Sequence, residues 1–203
     1  MNKKTVNKES TVQLTWRLFA ICVLAAILLG ATYAITKDPI TEQDTLKLEA
    51  ARKQAIPEAD AFQDVDLSAL KTQNWQEAYN AVTGASKAMS GGKAAGYIVN
   101  ITATGYAPGI KITVGLGADG KIKGISVTEH SETPGLGAKA QDTAFYDKFK
   151  DKSLDTPLTV VKGAPSNANE VQAITSATVT TKGITNAVNT AVAFYKQYFE
   201  GKE

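Results

Sequence analysis

Cysteine and histidine are almost absent from this sequence, which contains one residue of each. A single cysteine excludes an internal disulfide framework and any metal site built from several cysteines. A single histidine excludes a histidine cluster, and any serine–histidine–aspartate triad would depend on that one residue. Paired carboxylates cannot be located from the sequence either. We therefore predict no catalytic residues and no metal site on this chain.

A strong excess of one charge is also missing, because the net charge is +2 over 203 residues. This balance favours neither a nucleic acid nor an acidic partner, and we expect no nucleic-acid binding. Hydrophobic residues make up 43% of the chain and charged residues 21%, which is typical of a folded domain rather than a disordered one. The length suits one domain of ordinary size with an appendage.

The appendage is an apolar stretch near the N-terminus. Residues 18–35 contain no charge and are long enough to cross a bilayer as a helix, with Trp16 and Tyr33 near the two ends. The basic residues of 1–17 predict a cytoplasmic N-terminus, which places the rest of the chain on the extracytoplasmic side of the cell membrane as a single-pass protein. A cleaved signal peptide ending near Thr32-Tyr33-Ala34 is the alternative, but the apolar run is longer than the usual signal core.

Residues 36–90 are interpreted as a helical linker followed by the start of the domain. The first part, from Thr36 to about Ala61, is polar and helix-prone. Pro39 and Pro57 lie near its two ends, and Thr41 is a candidate N-cap. We therefore expect a second helix here, which links the membrane anchor to the domain.

Strand patterns follow a stretch with no regular period, Asp64 to Thr83. Gly96–Gly105 is rich in β-branched residues, and Ile110–Leu116 alternates apolar and other residues. A hairpin turn is indicated at Ala118-Asp119-Gly120-Lys121, before a further alternating run at 122–129. These spacings predict three antiparallel strands with one face available to a helix.

The chain ends with an amphipathic pattern that begins at Ile184 and predicts a long helix. This helix is the natural cover for the sheet. Between the strands and the helix we predict a short helix at Gln141–Lys150, a short strand at Leu158–Val161 and a polar loop at Gly163–Glu170. The fold class is therefore α+β, with an N-terminal transmembrane helix followed by an antiparallel sheet covered by helices.

Five hydroxyl side chains fall within seven positions where the last helix begins. Residues of this type usually cap a helix, and each cap satisfies one unpaired N–H group. A helix N-terminus also attracts phosphate through its unpaired N–H groups and its dipole. One cap needs one hydroxyl, so the excess is suggestive of a phosphate site. The five residues are Thr175, Ser176, Thr178, Thr180 and Thr181.

A second motif, His130-Ser131-Glu132-Thr133-Pro134-Gly135-Leu136-Gly137, interrupts the strand pattern. Two glycines and a proline predict a tight loop whose backbone can approach a ligand closely. The alternative is a simple connecting loop in which His130 is a hydrogen-bonded structural histidine.

Both motifs resemble those of a known family. Ile174-Thr175-Ser176-Ala177-Thr178-Val179-Thr180 resembles the flavinylation motif of the FMN-binding domain shared by the G subunit of Rnf complexes and the C subunit of sodium-translocating NADH:quinone oxidoreductase. In that family the threonine after alanine carries FMN through a phosphoester bond, and this residue is Thr178 here. The sequence His-x-Glu-Thr-Pro-Gly-Leu-Gly is the family's second hallmark and lies upstream, as expected. Two departures are Gln172, where many members have an acidic residue, and Ser176, where glycine is commoner.

The resemblance covers roughly Gly96 to Phe199 and implies an FMN-binding domain at 91–200. It implies that FMN is covalently attached to Thr178 and that the upstream loop lines the isoalloxazine ring. The implied cofactor-binding residues are Thr175, Ser176, Ala177, Thr178, Val179 and Thr180 in the first motif, and Glu132, Thr133, Pro134, Gly135, Leu136 and Gly137 in the loop.

The resemblance also implies a function. The chain is expected to be an electron-transfer subunit of a membrane-bound Rnf-type complex, which couples electron transfer between ferredoxin and NAD⁺ to translocation of Na⁺ or H⁺. Its expected partners are the other membrane subunits, the lipid bilayer and a flavin transferase for maturation, and it is not expected to be a stand-alone enzyme. Two alternatives remain: an anchored extracytoplasmic flavoprotein serving a separate reductase, and an anchored binding domain without a cofactor.

Overall fold

The computed structural model describes residues 8–71 and 75–201, with side chains from residue 11 onward. Residues 1–7, which belong to the predicted cytoplasmic segment 1–17, lie outside the described residues. The chain divides into two compact units, Met1–Leu46 and Lys47–Glu203.

The described part of the first unit, residues 8–46, is helical. Helix α1 spans Lys8–Ala55, and every side chain from Thr11 to Leu46 is exposed. Its apolar window has a mean hydropathy of 2.5 and none of it is buried by protein, so α1 is long and apolar enough to cross a membrane.

The prediction of a separate linker helix is wrong, because α1 runs through Pro39 to Ala55 without a break. Thr41 is not an N-cap: its Oγ1 donates to the Lys37 carbonyl, 2.9 Å away, one turn earlier in the same helix. Proline removes one backbone hydrogen bond, whereas two new helix ends would each leave four backbone groups without intrahelical partners. The helix ends just before Ile56-Pro57, as the position of Pro57 predicts.

The second unit is built on an antiparallel sheet of five strands in sequential order. The sequence predicted three of them. The first two strands were missed because β1 is short and β2 consists largely of alanine, glycine and serine, which lack the strand signal of β-branched residues. The strands are β1 (Ala61–Val65), β2 (Val82–Ser90), β3 (Lys93–Thr104), β4 (Pro108–Gly117) and β5 (Ile122–Glu129).

One face of the sheet forms the main core with the C-terminal helix, α4 (Thr178–Tyr198). The alternating residues of β4 are buried on this face as predicted, and Ile184, Val188 and Phe194 of α4 are fully buried against the sheet. Burial of each such side chain contributes about 1.5–3 kcal/mol to the free energy of folding. The helix is therefore held against the sheet by its apolar stripe, and this contact fixes where its N-terminus lies.

The other face of the sheet is covered by the end of α1 and the residues after it. Ala55 and Ile56 pack with Ala88 and Ile98 in a second, smaller cluster. A side chain at Gly115 of β4 would collide with the Ala55 carbonyl, so the close approach requires glycine there. The α+β fold with helices on the sheet is confirmed.

Short elements complete the unit. The predicted helix at Gln141–Lys150 is a single α-helical turn, α3, although its aromatic residues are buried as expected. The predicted strand at Leu158–Val161 is present as β6, and it pairs in parallel with a strand that the sequence did not reveal, β7. The elements are α2 (Leu67–Lys71), α3 (Thr143–Tyr146), β6 (Thr159–Val161), β7 (Glu170–Gln172) and 3₁₀ turns at Glu77–Ala81 and Gly137–Gln141.

Candidate cofactor site

A pocket of about 440 Å³ lies at the N-terminus of α4. Its volume falls within the range of roughly 300–1,000 Å³ that is usual for small-molecule sites. Residues of both sequence motifs meet in its wall, together with one residue from the turn between β3 and β4. The lining residues are Tyr106, Glu132, Thr133, Leu136, Gly137, Ser176, Ala177, Thr178, Val179 and Thr180.

The backbone at the start of α4 presents unpaired donors. Ala177 is the N-cap and no side chain caps the helix. The first bond within the helix runs from the Thr181 N–H to the Ala177 carbonyl, 3.0 Å away. Among the described residues, no acceptor is bonded to the N–H groups of Thr178, Val179 and Thr180. Three free donors and the positive end of the helix dipole make this end of the pocket suited to an anion.

The clustered hydroxyl groups have different roles. Thr180 and Thr181 are buried, and their hydroxyls bond to protein: Thr180 Oγ1 donates to Glu132 Oε2 at 2.8 Å and Thr181 Oγ1 donates to the Ala177 carbonyl at 3.0 Å. Thr178 is half-buried, and its hydroxyl has no hydrogen bond among the described residues. The interpretation as N-caps is therefore wrong for this helix, and Thr178 is a residue of the pocket wall whose hydroxyl is not used as a cap.

Glu132 joins the three segments that form the pocket. Its side chain is 6% exposed. One carboxylate oxygen accepts the Ala107 N–H at 3.0 Å, and the other accepts the Thr180 hydroxyl at 2.8 Å. A Cβ atom at Gly137 would collide with Glu132, so glycine at that position lets the loop close over the carboxylate. One buried carboxylate thus fixes the loop, the start of α4 and the β3–β4 turn relative to one another.

The backbone of the loop also involves the chain's single histidine. The Glu132 N–H donates to His130 Nδ1 at 3.1 Å, so His130 has the hydrogen-bonded structural role that the sequence left open as an alternative. Gly135 has a φ of +77° and Ser176 a φ of +64°, both in the left-handed region. Serine at that φ is strained relative to glycine, and position 176 is where glycine is commoner in the family that the motif resembles.

Nine of the twelve residues predicted for the site line the pocket. The three that do not are Thr175, Pro134 and Gly135. Thr175 lines a separate cavity beside Lys148, while Pro134 and Gly135 are exposed at the turn of the loop. The roles of all twelve residues in binding a cofactor stay a prediction.

Sequence reasoning missed Tyr106. It lies in the turn between β3 and β4, lines the pocket and is 80% exposed. The available signal was a large aromatic residue within Gly105-Tyr106-Ala107-Pro108-Gly109, a turn sequence that gives no packing reason for an aromatic ring.

The residues present fit FMN. A phosphate group matches the free N–H groups at the start of α4, and a flat apolar ring system matches the apolar side chains of Tyr106, Leu136 and Val179 on the pocket wall. Thr178 lines the pocket and is itself one of the residues whose N–H groups are free.

The sequence is similar to an FMN-binding domain family and to known subunits of oxidoreductase complexes. A model of the FMN-binding domain family matches residues 105–193. The G subunit of the Na⁺-translocating ferredoxin:NAD⁺ oxidoreductase complex of Acetobacterium woodii is 34% identical over 201 residues, which cover 93% of this chain and 97% of that protein. The G subunit of the proton-translocating ferredoxin:NAD⁺ oxidoreductase complex of Clostridium ljungdahlii is 32% identical over 200 residues, which cover 98% and 99%.

The fold is similar to that of a solved structure. The C subunit of the Na⁺-translocating NADH-quinone reductase from Parabacteroides distasonis superposes with a TM-score of 0.55 over 71% of this chain and 80% of that one, at 18% identity. This likeness shows a shared fold. The matched family segment, 105–193, contains both sequence motifs and the Tyr106 turn.

Proposed function

The chain belongs to the family of G subunits of ion-translocating oxidoreductase complexes, and we propose that it carries FMN covalently on Thr178. Membership in this family, together with the FMN-binding domain, makes the protein an electron-transfer flavoprotein subunit. The covalent bond and its position go beyond that membership and rest on the geometry of the pocket.

The observation that carries the proposal is the position of Thr178. This residue lines the pocket and is the first residue of α4, and its hydroxyl lacks a hydrogen bond among the described residues. A phosphoester on this oxygen leaves a negatively charged phosphate beside the free N–H groups of residues 178–180, where helix termini stabilise anions. The neighbouring hydroxyls of Thr180 and Thr181 are committed to protein partners.

Attachment requires no redox step. The Thr178 oxygen forms a bond to the phosphorus of an activated flavin nucleotide, a P–O bond to the leaving group breaks, and the hydroxyl proton is released. A flavin transferase is the proposed catalyst, since the described site has no base bonded to the Thr178 hydroxyl. Once bound, FMN supplies the electron-transfer chemistry, and the protein supplies its position and surroundings. A covalent bond also prevents loss of the cofactor into bulk solvent.

The setting of the protein is part of the proposal. We propose a cytoplasmic segment at 1–17, a single membrane anchor at 18–35, a linker and domain start at 36–90 and the FMN domain at 91–200 on the extracytoplasmic side. Its partners are the lipid bilayer and the other membrane subunits of an Rnf-type complex that couples ferredoxin:NAD⁺ electron transfer to Na⁺ or H⁺ translocation. The two relatives above are named for different ions, so membership in the family does not select one.

The test is expression of the full chain with a flavin transferase, followed by denaturing electrophoresis and flavin fluorescence in the gel. We expect a fluorescent band for the wild type and none for Thr178→Ala. Thr175→Ala is the matched control, because Thr175 is an exposed threonine three residues upstream and outside the pocket. Both variants should fold normally, since neither hydroxyl makes a hydrogen bond among the described residues.

A fluorescent Thr178→Ala band would contradict the assignment of the acceptor residue. A colourless wild-type protein would instead favour the anchored binding domain without a cofactor. Purification in mild detergent distinguishes a subunit of a complex from an anchored flavoprotein that serves a separate reductase. Copurification with other membrane subunits supports the complex, whereas isolation as a lone flavoprotein favours the separate reductase.

A further inference from the structure

Exposed large hydrophobic side chains are concentrated at one place in the second unit. Within its described residues, 47–71 and 75–201, three such side chains are exposed: Tyr106 (80%), Leu136 (41%) and Val179 (57%). All three line the pocket at the N-terminus of α4. The other exposed large hydrophobic residues belong to α1 in the first unit. Exposed apolar groups that gather in this way mark a binding site rather than random surface composition.

The three side chains come from three segments that are fixed to one another. Tyr106 precedes Ala107, whose N–H donates to Glu132, and Val179 precedes Thr180, whose hydroxyl donates to the same carboxylate. Leu136 lies in the same loop as Glu132. The turn that carries Tyr106 is closed by a bond from the Gly105 N–H to the Ala107 carbonyl, 3.1 Å long. The apolar group is therefore preorganised around the pocket.

The arrangement suits a ligand with two chemically distinct ends. The free N–H groups at the start of α4 can donate hydrogen bonds to an anion, and the three apolar side chains can pack against a flat, largely apolar ring. An aromatic side chain adds favourable contact with the face of a second aromatic system. The three side chains line a concave pocket that also contains Thr178, so an attached flavin accounts for their exposure better than a protein partner, which would need a broader surface.

We propose that Tyr106, which lies outside both sequence motifs, contacts the flavin ring and that Leu136 and Val179 complete an apolar slot for it. This inference rests on the proposed function, since it concerns the FMN held on Thr178. Tyr106 is then the residue that shields the ring from solvent and quenches its fluorescence, because a tyrosine beside an excited flavin can donate an electron to it.

The test uses the full chain expressed with a flavin transferase, as wild type, Tyr106→Ala and Tyr106→Phe. Covalent FMN is quantified for each protein by intact mass, and the fluorescence per bound flavin and its quenching by added iodide are then measured. We expect fluorescence to rise several-fold in both variants, because phenylalanine is a poor electron donor. Iodide quenching should increase in Tyr106→Ala and stay near the wild-type level in Tyr106→Phe, which keeps the ring.

The outcomes distinguish this inference from the proposed function. Wild-type fluorescence and iodide quenching in a fully flavinylated Tyr106→Ala protein would overturn the contact and leave the FMN assignment intact. If Tyr106→Ala leaves the flavin properties unchanged but the other membrane subunits no longer copurify, the proposed contact with the flavin is overturned and Tyr106 belongs to a protein-docking surface instead. Absence of flavin from the wild type would refute the proposed function itself. If Tyr106→Ala does not fold, the fluorescence of Tyr106→Phe still decides between contact and no contact.

Discussion

Replacement of Glu132 should destabilise the second unit more than any surface carboxylate does. Glu132→Ala leaves the Ala107 N–H and the Thr180 hydroxyl without their acceptor, at a site where the side chain is 6% exposed. A hydrogen bond to a charged group contributes about 1.5–3 kcal/mol, so loss of two predicts a decrease in the free energy of unfolding of about 3 kcal/mol or more. Glu132→Gln keeps one acceptor oxygen and the shape, and we expect a decrease of about 1–2 kcal/mol.

The matched control is Glu129→Gln, three residues earlier. The Glu129 carboxylate is 46% exposed and pairs with Lys111 at 2.8 Å, and exposed pairs of this kind contribute at most about 1 kcal/mol. The assay is urea unfolding of the full chain in detergent micelles. Fluorescence of Trp75 reports on the second unit, because this residue packs against Tyr79 and Phe194. If the free energy of unfolding of Glu132→Ala lies within about 0.5 kcal/mol of the wild-type value, the role assigned to the carboxylate is refuted. The cost of burying the carboxylate would then equal the stabilisation from its two hydrogen bonds.

Three further predictions concern backbone strain and pH. Ser176→Gly should raise the free energy of unfolding by up to about 1 kcal/mol, because glycine adopts the φ of +64° without strain. Ser176→Ala should give no such gain, and urea unfolding of the two variants compares them. Gly135→Val should destabilise the loop by about 1–2 kcal/mol, because its φ is +77°, and should alter the flavin absorption spectrum; an unchanged spectrum and redox potential would contradict the loop's contact with the ring. Burial raises the pKa of Tyr146 above its ordinary value of 10.0, so the folded state keeps a proton that the unfolded state loses. The free energy of unfolding should therefore fall as the pH rises above about 10. The fall should be shallower in Tyr146→Phe, and an identical pH profile for the two proteins would contradict this prediction.

The parts of the fold that the sequence predicted are those with a strong apolar period. The alternation in β4 predicts one apolar face of the sheet, and the spacing from Ile184 onward predicts one apolar face of a helix. The structure packs these two faces together in the main core, as expected. Strand β2 carries little such signal because it is rich in alanine, glycine and serine, and its pairing with β1 and β3 became visible only in the structure. Pro39 led to the opposite error, because a proline often marks a helix end and here α1 continues through it. The proline removes only one backbone hydrogen bond from this long exposed helix.

The candidate site was predictable as far as its two motifs extend. Resemblance to a known family named the loop and the start of α4, and most of their residues do line one pocket. The contacts that hold the pocket together are tertiary: Glu132 bonds to Ala107, 25 residues away, and to Thr180, 48 residues away. Tyr106 joins the site through this same linkage. No local pattern contains that information, because it depends on how the sheet brings three distant segments to one end of the helix.

The proposed covalent bond between FMN and Thr178 is tested most directly by the intact mass of the protein purified from its own membrane, followed by peptide mapping. We expect an added mass equal to an FMN phosphoester, located on the peptide that contains Thr178. An unmodified mass for a protein that copurifies with its membrane partners, or an FMN adduct on a peptide without Thr178, would contradict it.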